Sequence, residues 1–238
     1  MRTGVALLML AAAAVGAADT AVEVPRFSAA LPDAEPEGWQ PLTFQSGRQS
    51  TVYRLVADDG ITVLRADADA SASGLVHKLE VDARTYPILA WRWKVGNLIE
   101  KSDATRKEGD DYPARVYVMF KYDPERVSAA DRAKYELARL VRDEYPPHAG
   151  INYVWDNRLP PGTILPNAYI DRVKMIVLRS GAAEVGRWVE EERNVYEDYK
   201  RAFGEEPPPI SGVAVMTDTD DTGDRATAWY GDIVLRKP

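Results

Sequence analysis

The stretch DTDDTGD, 218–224, packs Asp218, Asp220, Asp221 and Asp224 around Gly223. Carboxylates this close repel one another, and a hard cation bound by oxygen ligands is one chemistry that relieves the repulsion. Counted from Asp218, oxygen-bearing side chains fall at positions one, three, five and seven with glycine at six, which is how an EF-hand calcium loop begins. Position twelve is Trp229 instead of a bidentate Glu, and the flanks read as strands, so an EF-hand is rejected. Two readings stand. A calcium ion held in a β-loop would draw on Asp218, Asp220, Asp224 and Asp232. A solvated turn needs no ion, because Asp is common in turns and salt screens exposed like charges. Calcium is the only cofactor the sequence suggests.

A second acidic pair, Asp110 and Asp111, precedes an apolar run beginning at Ala114. The pair could be catalytic or supply further cation ligands; but carboxylates that do acid–base work converge from different segments, whereas adjacent residues point different ways, so a turn ahead of a strand is the preferred reading. The chain has no cysteine and only two histidines, His77 and His148. A zinc site of His and Cys is therefore not expected, and both histidines read as structural. No GxSxG elbow, P-loop or post-strand GxGxxG occurs. No catalytic residue is assigned.

Alternation along the strands offers a different chemistry. In LAWRWKV, Leu89, Trp91, Trp93 and Val95 share one side, with Ala90, Arg92 and Lys94 on the other. In ARVYVMFKY, Val116, Val118, Phe120 and Tyr122 oppose Arg115, Tyr117, Met119 and Lys121. In INYVWDN, Ile151, Tyr153 and Trp155 oppose Asn152, Val154 and Asp156. Mixed faces bearing Arg, Tyr and Asn could line a groove: Arg and Asn hydrogen-bond hydroxyls or a carboxylate, and a ring stacks on a sugar. The candidate ligand contacts are Arg92, Arg115, Tyr117, Asn152 and Trp155. The alternative is a solvated outer sheet whose charged side chains bind nothing.

The elements that must position these residues are mostly strands. Short alternating or apolar segments over 50–57, 61–68, 75–81, 88–95, 114–122, 151–155, 173–180, 212–218 and 228–236 are separated by turn residues, with a hairpin turn at Asp58-Asp59-Gly60. Strands so spaced predict a mainly β fold, a β-sandwich or barrel and not a parallel α/β sheet. Two helical excursions interrupt it, over 127–145 and 188–204. The first opens with Ser128 and Asp131 at capping-box spacing and carries an apolar stripe of Ala133, Leu137, Leu140 and Val141. The second is closed by Gly204 and then by Pro207, Pro208 and Pro209.

One arginine followed by GVALLMLAAAAVG, with small residues to position 17, reads as a secretory signal peptide over 1–17. The run is short for a membrane span, and no later segment is long and apolar enough, so a mature chain has no transmembrane segment. Residues 18–41, rich in Pro, Ala and Glu, form an extended lead-in, and 42–238 form one domain. The expected location is periplasmic or secreted. The net charge of -7 disfavours general nucleic-acid binding, which needs clustered Lys and Arg.

Taken together, LAWRWKV, GDDYPARVYVMF, INYVWDNRLPPGT, VKMIVLRSG, VYEDYKRAFGEEPPPISGVAVMTDTDDTG and YGDIVL resemble an exported bacterial family filed as a domain of unknown function, over about 39–236. The resemblance implies a signal peptide and a single domain, and it brings no catalytic residue. The order of these strands is also similar to jelly-roll carbohydrate-binding modules, in which a terminal Asp-Ile pair often starts the last strand near a structural calcium. Asp232-Ile233 stands at that position, with Gly231 where a second Asp often lies. The function expected is a non-catalytic binder of a glycan or other envelope ligand. The alternatives are a polysaccharide lyase or hydrolase on the same fold and a structural partner in envelope assembly.

Overall fold

The computed structural model describes residues 20–43, 48–142 and 145–238. The expected leader at 1–17 lies outside the described residues, as does the side chain of Val141. In chain order the elements are β1 (Ala21–Val22), β2 (Gln40–Leu42), β3 (Val52–Asp58), β4 (Ile61–Asp69), β5 (Ala72–Val81), β6 (Ile88–Val95) and β7 (Arg115–Phe120). There follow α1 (Ala129–Arg142), β8 (Ala149–Asp156), β9 (Ile164–Pro166), β10 (Val173–Ser180), β11 (Val189–Asn194), α2 (Val195–Phe203), β12 (Ile210–Asp218), β13 (Arg225–Tyr230) and β14 (Val234–Arg236).

The strands form two sheets. The first runs β1-β14-β6-β13-β4-β3, with β11 also on β6; the second runs β2-β5-β12-β7-β8-β10-β9. Ile88 pairs with both Arg236 and Asn194, and Trp93 with both Tyr230 and Val189. Hence β13 and β14 follow one another along one edge of β6, and β11 takes the other. All pairings are antiparallel except β8 with β10. The chain repeatedly crosses from one sheet to the other, giving a jelly-roll-like sandwich and not the barrel that the strand spacing also allows.

The faces are those the alternation predicts. Leu89, Trp91, Trp93 and Val95 are buried, as are Val116, Val118 and Phe120, and Ile151, Tyr153 and Trp155. They meet between the sheets: Trp91 lies 5.4 Å from Tyr153 and Trp93 lies 6.0 Å from Trp155, centroid to centroid. Each such side chain, removed from water, contributes about 1.5–3 kcal/mol. The hairpin between β3 and β4 has φ of 52° at Asp59 and 78° at Gly60, the left-handed pair that a two-residue turn requires. The lead-in is part of the sandwich, for β1 and β2 join different sheets and Val24, Phe27 and Trp39 enter the core.

Three expectations need correction. The span 188–204 is not one helix. Its first part is β11, because Glu191 reaches inward to accept from the Trp93 indole at 3.1 Å and from Arg179 Nε at 2.6 Å while the backbone extends β6. Tertiary pairing overrides the helix propensity of the glutamates. Asn194 then caps α2 by accepting from the Glu197 N–H at 3.0 Å, and Gly204, at φ 73°, closes it. The second correction concerns α1. Ser128 Oγ accepts from the Asp131 N–H at 3.1 Å and donates to Asp131 Oδ2, but Leu137 and Leu140 are 64% and 76% exposed, so these leucines do not pack on the sheet. Third, the last expected strand is interrupted at 231–233 and forms β13 and β14.

Candidate functional site

The outer face of the second sheet gathers three of the sequence candidates. Tyr117 on β7 pairs with Ala214 on β12 and with Asn152 on β8, and Asn152 pairs with Met175 on β10. In the next row Arg115 lies between Met216 and Val154. Arg115, Tyr117 and Asn152 therefore share one face, as the two-residue period requires. The floor around them is small, with Gly74, Gly150, Gly212 and Ala214 all buried, and the methionines Met119, Met175 and Met216 stand beside it.

Arg115 is fully engaged by the protein. Its Nε donates to Asp218 Oδ1 at 2.7 Å, and its Nη2 donates to Asp218 Oδ2 and to the Asp110 carbonyl. The guanidinium carbon lies 4.3 Å from the centroid of the Tyr112 ring, and the Tyr112 N–H also donates to Asp218 Oδ1, at 3.2 Å. Both members of the pair are buried. Burial pushes the Asp218 carboxyl up to about 7 against the pull of Arg115. Burial acts to lower Arg115, but Asp218, Tyr117 and Asp110 together outweigh it and hold the guanidinium charged.

Beside this pair lie polar atoms without partners. Asn152 is 0% exposed, and neither its Oδ1 nor its Nδ2 has a hydrogen-bond partner. The Tyr112 hydroxyl shares that condition, whereas Asp110 Oδ1, without a hydrogen bond, lies 3.7 Å from Arg115 Nη1. Each buried unpaired group costs about 1–3 kcal/mol, so a cluster of them calls for an explanation. Asn167 links the two ends, with Nδ2 3.1 Å from Asp110 Oδ2 and 3.9 Å from the sulfur of Met175. The Tyr117 hydroxyl has only long contacts, 3.5 Å from Arg115 Nη1 and 3.8 Å to Met216 Sδ. Burial pushes Tyr117 up to about 12, so it remains a phenol donor at neutral pH.

The remaining candidates fall elsewhere. Trp155 is in the core, its indole donating to the Gly181 carbonyl at 3.2 Å, because it shares the inward side of β8 with Tyr153. Arg92 lies on the outer face of the first sheet, across the whole sandwich from Arg115. Two surface hollows of about 480 and 450 Å³ share Asn97 and Arg225, and none of the five ligand candidates lines either.

The four aspartates proposed as calcium ligands are not brought together. Asp218 spends both oxygens on Arg115 and Tyr112, Asp224 faces Lys101 at 3.5 Å, and Asp232 accepts from the Ser28 N–H at 3.0 Å. Asp220 lies with Asp221 and Asp111, and Arg48 pairs with both Asp220 and Asp221. Asp111 is buried and accepts from the Thr222 N–H at 2.7 Å and the Asp221 N–H at 3.3 Å. Of the pair that the sequence offered as further acidic ligands, Asp111 joins the loop at 218–224, about a hundred residues away in the chain. Cationic side chains and backbone amides thus share out the charge of the loop.

The fold is similar to a family 11 carbohydrate-binding module of the cellulosomal cellulase Lic26A-Cel5E of Clostridium thermocellum, at 10% identity and a TM-score of 0.46, over 93% of this chain and 97% of that one. It is also similar to a family 30 module of cellulase Cel9D-Cel44B of Clostridium thermocellum, at 12% identity and a TM-score of 0.38, over 83% and 93%. The endoglucanase 3 of Trichoderma harzianum, from family GH12, shows 10% identity and a TM-score of 0.40, over 83% and 89%. No curated protein matches. The family model described as protein of unknown function (DUF3047) matches residues 37–234, and the chain belongs to that family.

Proposed function

We propose that the chain is an exported, non-catalytic binding module whose ligand, a glycan or a similar polyhydroxyl molecule of the envelope, seats on the outer face of the second sheet. The observation that carries this reading is the Asn152 amide, buried with every donor and acceptor unused. A primary amide offers two donors and an acceptor, the set that pairs with vicinal hydroxyls. Tyr117, half-exposed on the same row, adds a hydroxyl with no strong partner, so an incoming sugar meets it first. Met119, Met175 and Met216 are flexible thioethers that can repack around a sugar ring. Export rests on the apolar leader at the start of the sequence.

The pairing of Arg115 bears on the alternative of a polysaccharide lyase. A lyase would use arginine to neutralise a uronate carboxylate and tyrosine to take a proton. Arg115 already spends its donors on Asp218 and Asp110, and burial raises Tyr117 and Tyr153 above the ordinary phenol range, the wrong direction for a base. Binding without turnover fits these groups better.

The test is calorimetric titration of the full chain with a panel of neutral glycans, repeated on Asn152→Leu. The expected result is binding to at least one glycan, lost in the variant while the melting temperature holds or rises. Undiminished binding by Asn152→Leu, or a silent panel, overturns the proposal.

A further inference from the structure

The outer face of the first sheet carries a surface of different construction. Register places Arg54 on β3 opposite Arg65 on β4, Arg65 opposite Trp229 on β13, and Trp229 opposite Lys94 on β6. Trp188 directly precedes β11, whose Val189 pairs with Trp93, so it continues the row beyond β6. One line across the sheet therefore reads Arg54, Arg65, Trp229, Lys94, Trp188. Both indoles are half-exposed. The Lys94 ammonium lies 4.5 Å from the Trp229 centroid and 5.1 Å from that of Trp188, and Arg65 lies 5.4 Å from Trp229. Two strand steps separate the tryptophans, which sets them about 10 Å apart. That is the length of one disaccharide in an extended glycan.

The cations on this face divide into two kinds. Lys94 pairs with Asp58, and Arg65 pairs with Asp67 at 2.9 Å, so these two hold the rings and carry little free charge. Arg92 lies 4.4 Å from the Trp188 centroid, and neither it nor the exposed Arg54 meets a carboxylate among the described residues. Gly231 makes room for Arg92, since a Cβ there would stand 2.5 Å from its Cγ and 2.8 Å from its Nε. Arg54 thus stands at one end of the line, while Arg92 lies over the Trp188 ring, with Glu190 as its cross-strand neighbour on β11.

We infer that this face is a second binding site, for an acidic glycan: sugar rings stack on Trp188 and Trp229, and uronate carboxylates pair with Arg54 and Arg92. An indole presents a flat apolar plate to the C–H face of a pyranose, and a guanidinium grips a carboxylate through two parallel hydrogen bonds. The site is independent of the Asn152 face, being on the other sheet.

Calorimetric titration of the full chain with polygalacturonate, and with the same polymer fully methyl-esterified, tests the inference. The acid form is expected to bind, the ester to bind at least about tenfold more weakly, and added salt to weaken only the acid form. Trp188→Ala and the double variant Arg54→Gln with Arg92→Gln should each lose about tenfold or more. The arginines are surface groups, so the double variant reports on the site even if the tryptophan variant loses fold, which a melt reveals. Asn152→Leu should leave this binding unchanged, which separates failure here from failure of the neutral-glycan reading. The inference is overturned if polygalacturonate does not bind, if the arginine variants bind it as tightly, or if a single-stranded oligonucleotide binds more tightly.

Discussion

Asp218 stands diagonally across from Arg115 on neighbouring strands: Met216 is the direct cross-strand partner of Arg115, and Asp218, two residues further along the same face of β12, closes a two-bond bridge to it. Exchange of one partner leaves a buried charge alone. Arg115→Ala should therefore destabilise the protein by about 3–5 kcal/mol, while joint replacement by Met at 115 and Leu at 218 should recover most of that. Urea unfolding of the three proteins decides it. A loss under about 1 kcal/mol in the single variant would mean that the pair is not buried as described.

The same carboxyl makes stability depend on pH. Its folded pKa, about 7, lies above the usual value for an unfolded aspartate, about 3.9, so the native state holds this proton more tightly. The stabilisation from protonation is fully present below about pH 4 and is lost as pH rises toward 7. Asp218→Asn has no proton to exchange. The wild-type melting temperature minus that of Asp218→Asn should accordingly grow as pH falls from about 8 to 5. A difference that is flat or shrinks contradicts the raised pKa.

Asn152→Leu exchanges an unpaired buried amide for an apolar group of similar size. The expected gain is about 1–2 kcal/mol in unfolding free energy, alongside loss of neutral-glycan binding. A destabilised variant would show that the amide has a partner within the fold.

On α1, Leu137→Gln and Leu140→Gln should change stability by no more than about 0.5 kcal/mol, since neither side chain is buried. Amide exchange along α1 should be faster than along β7 or β8, because these leucines do not pack on the sheet. Slow exchange throughout α1 would contradict the exposed placement.

These results also mark how far the sequence was legible. Alternation identified the inward residues of β6, β7 and β8, and the Asp-Gly turn gave the first hairpin, because both signals are local. A period of two tells which residues share a face but not which sheet a strand joins. Arg92 and Arg115 therefore looked alike in sequence and lie on opposite sides of the molecule. Trp155 sat plainly on the apolar side, and its inclusion among the ligand contacts ran against the pattern. β11 was unreadable for another reason: VEEERN is extended by the edge of β6 and by the Trp93 indole, neither visible in a local window. The aspartates at 218–224 announced a cluster, but their partners Arg48, Lys101, Asp111 and Arg115 come from distant segments.

β1 pairs Ala21 with Arg236 and Val22 with Leu235, and the Lys237 N–H donates to the Thr20 carbonyl at 2.9 Å. The strand made first thus waits for residues made more than two hundred positions later. Closure of the first sheet is among the last events available to a growing chain, and contacts of such separation make folding slow.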